Sequence, residues 1–169
     1  MRRHIIAGIV IALLAMAESS LLPATLGGTL RLNLVLLVSA IWVALRGNEG
    51  LLWAMGGGLL LDLQSGAPFG VHMVGLMLGN SLAVLLDQVP IPIPIVRSLN
   101  WVFVTTVTYH TTALTVLALT GRTFEFSIGF TNVMLPSLIA NLILAIPVHI
   151  VLTRLRTRLR EAERFLPER

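Results

Sequence analysis

Few side chains in this chain can do chemistry, and the densest group is one string: Asp62-Leu63-Gln64-Ser65-Gly66-Ala67-Pro68-Phe69-Gly70-Val71-His72. A carboxylate followed by an imidazole is raw material for a proton relay or part of an ion site. The same string also reads as an ordinary turn. Asp62 and Ser65 are turn and capping residues, Gly66 and Gly70 permit tight backbone geometry, and Pro68 stiffens it. One carboxylate and one imidazole are too few ligands for a metal. Glu18, followed by Ser19 and Ser20, lies near the end of an apolar segment, where a carboxylate is either functional or simply solvated. Tyr109-His110 lies among Thr105, Thr106, Thr108, Thr111 and Thr112. Those threonines can bond their own helix backbone, whereas His110 needs an interior partner that the sequence does not name. His149, between Pro147 and a basic tail, is expected at an interface.

What is missing narrows the chemistry further. The chain has no cysteine, which excludes thiolate catalysis, disulfides and Cys-bound zinc or iron–sulfur sites. All twelve basic residues are arginine, which excludes Schiff-base chemistry and a Walker-type lysine. There is no HExxH, GxSxG, P-loop or GxGxxG in a βαβ context. Nor is there a paired intramembrane Asp or a Ser/Lys combination. The expectation is a protein that is not an enzyme and carries no cofactor and no metal.

The elements that must position these residues follow from composition. The 169 residues are 56% hydrophobic and only 12% charged, about half the charge of an ordinary soluble domain. Six apolar segments stand out, at 5–22, 32–45, 50–63, 71–87, 98–119 and 132–153. A spanning helix needs about 20 residues to cross ~30 Å of hydrocarbon. The second and third segments, with about 14 residues each, give roughly 21 Å as helix. They must borrow flanking residues, thin the bilayer or be partly re-entrant, which keeps a five-span arrangement open. The expected fold is an all-α membrane protein, a bundle of about six transmembrane helices over 1–153, followed by a basic cytoplasmic tail over 154–169. The N-terminal segment is read as a retained first helix rather than a signal peptide, being longer than an ordinary signal core.

Charge orients the bundle. With both ends cytoplasmic, Arg2, Arg3, Arg46, Arg97 and the six arginines from Arg154 onward lie inside, and only Arg31 and Arg122 lie outside. The Asp62–His72 turn then faces outward, and the strip Val89-Pro90-Ile91-Pro92-Ile93-Pro94 faces inward as an extended connection. The net charge of +4 points to anionic lipid at the tail rather than to nucleic acid. The tail is expected to continue the last helix, with Leu152, Leu155 and Leu159 on one face. Asn33, Asn80, Asn100 and Asn141 recur in or beside the segments and read as hydrogen-bond glue between helices. Gly75 and Gly79 form a GxxxG, and Ala54, Gly56, Gly57 and Gly58 thin the preceding segment. Such spacing either tightens a bundle or receives a partner's helix.

One stretch carries more than hydropathy. Arg31-Leu32-Asn33 through Trp42, Arg46, Glu49-Gly50 and Trp53, then Gly57-Gly58-Leu59-Leu60-Leu61-Asp62, Ser65-Gly66, Pro68, Gly70 and His72, resembles the bacterial rod shape-determining MreD family. The likeness covers about a quarter of the chain. Family members often carry proline before the asparagine of the second span, where this chain has Leu32. The resemblance implies a non-enzymatic scaffold in the bacterial cytoplasmic (inner) membrane, part of the cell-elongation machinery. It implies an MreC-like single-pass partner and, through it, RodA and its penicillin-binding transpeptidase, with a role in regulating peptidoglycan synthesis and cell shape. It also implies a fold similar to the S components of vitamin transporters, and a substrate-binding S component is the alternative reading. On the scaffold reading, Asn33, Gly58, Asp62, Ser65, Gly66, Pro68, Gly70, His72, Gly75 and Gly79 form a structural or partner-binding motif. The third and fourth segments then make a hairpin that receives a partner's helix at Gly75.

Overall fold

The computed structural model describes residues 2–21, 32–47, 49–88, 91–120 and 129–164. Arg31 and Arg122, the two arginines expected outside, lie beyond the described residues, as do Asn48, Val89, Pro90 and the tail from Phe165. All regular structure among the described residues is helical. Six helices occupy the six apolar segments: α1 Arg2–Met16, α2 Leu34–Arg46, α3 Glu49–Gln64, α4 Val71–Leu86, α5 Pro94–Leu119 and α6 Leu135–Arg164. A π-helical turn, Ala17–Leu21, extends α1, and another, Phe130–Met134, leads into α6.

Local chemistry sets several of these boundaries. The Asn33 side chain accepts from the Leu36 amide at 2.8 Å and opens α2. Gly47, at φ +68°, closes it. Gly70, at φ +94°, precedes α4 in a left-handed conformation that suits glycine alone. Pro94 stands in the first turn of α5, where its missing amide costs nothing. This proline therefore opens a helix four residues before the predicted start at 98, while Ile91–Ile93 remain non-helical. Pro147 lies inside α6 without ending it. That helix runs unbroken from the last apolar segment through the start of the tail to Arg164. Leu152 is buried and Leu155 is exposed on it, and the side chain of Leu159 lies outside the described residues.

The short α2 is the centre of the bundle. Eight of its 13 residues are buried: Val35, Leu36, Leu37, Ser39, Ala40, Ile41, Val43 and Ala44. At one end, Val35 and Leu36 cluster with Ala15, Ala54, Leu61, Leu76 and Tyr109. In the middle, Leu37, Ala40 and Ile41 meet Val102, Ala145 and Leu152. At the other end, Val43 and Ala44 meet Ala83 and Trp101. All five other helices thus touch α2. A helix apolar on every side suits either lipid or a protein core, and here the neighbouring helices enclose it. The sequence offers reach across a bilayer as the problem posed by this segment, but its enclosure supplies a different reason for its length. A core helix of about 20 Å has no need to match anything outside the bundle.

Long helices form the outer wall. Pro94–Leu119 and the continuous stretch Phe130–Arg158 are long and apolar enough to cross a membrane. Both keep large apolar side chains on the surface, including Phe103, Leu119, Ile139, Ile143 and Val151.

Glycines set how closely the helices approach. A Cβ on Gly58 would lie 2.5 Å from the Met73 Cα, so α3 and α4 touch backbone to backbone. A Cβ on Gly75 would meet the Tyr109 ring at 2.9 Å, and one on Gly79 the Thr105 carbonyl oxygen at 2.9 Å. These two pairings make α4 and α5 antiparallel and in close register.

Candidate functional site

Asp62 is buried in the last turn of α3, with its carboxylate turned across the connection onto the start of α4. Oδ1 accepts from the His72 amide at 2.9 Å and Oδ2 from the Met73 amide at 3.0 Å. Both oxygens thus satisfy amides that the first turn of a helix leaves unpaired, and the negative charge sits at the positive end of the helix dipole. The Gly58–Met73 contact brings α3 close enough for a short aspartate to reach. Of the two roles the sequence leaves open for Asp62, the geometry shows the capping one. Asp62 binds the backbone of His72, not its ring.

The His72 ring turns to α5 instead. Its Nδ1 lies 2.5 Å from the Tyr109 hydroxyl, and the two rings stack with centroids 5.8 Å apart. His110 packs edge-on against the same Tyr109 at 5.2 Å. Around them, the rest of the string does local work. The Ser65 amide donates to the Leu61 carbonyl at 2.9 Å, its hydroxyl donates to the Asp62 carbonyl at 3.4 Å, and the Pro68 carbonyl accepts from the Val71 amide at 3.3 Å. Gly66 departs from expectation. It is exposed, its φ is not positive, and a Cβ there would meet nothing within 4 Å. Its backbone therefore does not require glycine.

A second carboxylate repeats the device one helix away. Glu18 Oε2 accepts from the Val35 amide at 3.1 Å, so the π-helical turn after α1 caps α2. Beside it, the Asn33 amide donates to Asn141 Oδ1 at 3.4 Å, and Asn141 Nδ2 donates to Thr106 Oγ1 at 3.3 Å. Asn141 thereby ties α6 to α2 and α5, as expected of interhelical asparagine. Ser19 Oγ donates to Gln64 Oε1 at 2.5 Å and joins the ends of α1 and α3. The result is a polar layer at one end of the bundle, built from all six helices.

Three expectations change. Gly75 and Gly79 are buried against α5, so their face is filled from within and has no room for a partner's helix. Of the roles open to the GxxxG, packing inside the bundle is the one they take. His149, expected at an interface, is buried, with Nδ1 2.8 Å from Ser98 Oγ. Asn80 and Asn100 make no interhelical bond of the kind expected: Asn80 Nδ2 donates to its own helix at Leu76, and Asn100 is exposed.

Sequence reasoning missed Tyr109 as the partner of His72 and Glu18 as the cap of α2. Neither pairing has a local signal, because each depends on which helix faces meet. The opposite end of α4 is built differently. Asp87 there takes Arg97 Nε at 3.0 and 2.9 Å on its two oxygens, with Nη2 on Oδ2 as well, across the proline-rich connection. Among the described residues no three His, Asp or Glu side chains gather as a metal cage. The chemistry this arrangement supports is positional: carboxyl groups hydrogen-bonded by backbone amides, and a tyrosine–histidine pair that fixes α4 on α5. Comparison with protein-family models, curated proteins and solved structures finds no match.

Proposed function

We propose that the chain is a non-enzymatic integral membrane scaffold of the bacterial cell-elongation machinery. In this reading it is a multi-pass bundle of about six spans in the cytoplasmic membrane, with both termini on the cytoplasmic side. It binds an MreC-like single-pass protein and through it helps regulate peptidoglycan synthesis by RodA and its penicillin-binding transpeptidase. The basic tail lies on anionic lipid.

The observation that carries this reading is the use to which the Asp62–His72 string is put. It is the stretch on which the resemblance to the MreD family rests most specifically. Its carboxylate holds two amides of α4, and its imidazole holds Tyr109. Groups committed in this way build a rigid turn and are not poised to transform a substrate. The hairpin of α3 and α4 is closed on its α5 side but open on its outer side. Leu52, Met55, Leu59 and Leu63 are exposed along α3, and a Cβ on Gly56 among them would meet nothing within 4 Å. This face, not the Gly75 face, is where a partner's helix packs in the proposed complex.

The test is purification of the tagged protein from its native membrane in mild detergent, with mass spectrometry of what accompanies it. Recovery of an MreC-like protein or a cell-wall synthase is the expected result. Recovery of paired ATPases with a coupling membrane subunit would replace the scaffold with a vitamin-transporter S component. Gly56→Leu is expected to reduce recovery of the partner at unchanged yield of the protein itself. Unchanged recovery would remove this face from the interface.

A further inference from the structure

Three fully buried polar atoms at the junction of α2, α4 and α5 have no hydrogen-bond partner: Asn80 Oδ1, Thr105 Oγ1 and Trp101 Nε1. Their residues are 0%, 0% and 2% exposed. Buried polar groups are satisfied in the great majority of cases, by protein or by ordered water, and a group left unmade costs about 1–3 kcal/mol. Three orphans on neighbouring turns of one seam call for a common partner.

All three residues lie on neighbouring turns where α4 meets α5. Gly79 packs on Thr105, with the threonine methyl group 3.0 Å from where a Cβ would stand, so the hydroxyl occupies the other branch of that side chain. Asn80 follows Gly79, and its Nδ2 donates to the Leu76 carbonyl at 2.9 Å, leaving Oδ1 as the unused acceptor. Trp101 lies one helical turn before Thr105 and packs with Val43, Ala44 and Ala83. Ala83 is three residues beyond Asn80, on the same side of α4. Gly79, Ala83 and Ala44 are the small residues of this region, which Val43 closes from α2.

The chemistry of the set selects the occupant. Trp101 Nε1 only donates, Asn80 Oδ1 only accepts, and Thr105 Oγ1 does either. An anion would be repelled by the amide oxygen, and a cation by the indole N–H. We propose that this junction binds one structural water, which accepts from Trp101, donates to Asn80 and completes a third bond with Thr105. Three bonds are the usual number for a buried water. The site is independent of the scaffold reading, because it rests only on groups inside the bundle.

The test is proton NMR of the full-length protein in detergent micelles, carrying ¹⁵N-labelled tryptophan. Its three indole N–H signals, from Trp42, Trp53 and Trp101, are assigned by single Trp→Phe variants. The Trp101 signal is expected to show a cross-peak to a long-lived water. That cross-peak weakens in Thr105→Val, returns in Thr105→Ser and is lost in Asn80→Leu/Thr105→Val. No water contact at Trp101 in the native chain would overturn the site, as would a cross-peak that survives in the double variant. If the double variant does not fold, the Val and Ser variants decide alone: equal cross-peaks in both reject the site.

Discussion

The two ends of α4 are each tied to a neighbouring helix through an aspartate, and they are tied in opposite ways. At the start, buried Asp62 is neutralised by two backbone amides of α4. At the finish, Asp87 is neutralised by the guanidinium of Arg97, whose side chain is 42% exposed. The first arrangement uses backbone donors that cannot rotate away and that the helix itself leaves unpaired. The second uses a long, half-exposed side chain laid over a carboxylate that is itself 10% exposed. The comparison teaches that a carboxylate's structural worth depends less on its charge than on what its partner would lose without it.

Between these ends lies the glycine seam, and breaking it has the largest expected effect. Gly79→Leu forces a side chain onto the Thr105 backbone, which α5 relieves only by moving away. The cost is expected to exceed about 3 kcal/mol, seen as loss of monodisperse protein in size-exclusion chromatography. A monodisperse variant of unchanged thermal stability would mean that α4 and α5 are not in this register.

Next comes Asp62→Ala, which removes acceptors from two amides at once. A loss of about 2–3 kcal/mol is expected, read as a lowered thermal midpoint in detergent, with Asp62→Asn recovering part of it by keeping one acceptor. Equal losses in the two variants would show that charge at the helix terminus, not hydrogen bonding, does the work. The smallest effect belongs to the other end. Arg97→Ala is expected to cost less than about 1 kcal/mol, and the difference from the native chain should shrink as salt is raised. A loss as large as that of Asp62→Ala would erase the contrast between the ends.

The parts of this molecule legible in its sequence are those in which cause and effect lie close together. Six apolar runs gave six helices because apolar length is a local property. Asp62 could be read as a cap because its targets, His72 and Met73, are ten and eleven residues away across a turn. The tail could be read as a continuation of the last helix because nothing between Leu152 and Arg164 breaks one. Tyr109 could not be joined to His72, nor Asn141 to Asn33, because those pairings are 37 and 108 residues apart and depend on helix rotation. The enclosure of α2 was also hidden. Its sequence is apolar all round, which fits both a lipid-facing span and a core helix, and only its neighbours separate the two.

That enclosure has a consequence for how the protein is made. The start of α2 is capped by Glu18 from the first helix and bonded by Asn141 from the last. Its polar end is therefore complete only after α6 has been synthesised. A growing chain that has released α2 but not α6 holds a short helix with an unfinished terminus. The terminus of α2 is therefore a late joint, closed by the arrival of α6 rather than by the neighbours that precede it in the chain.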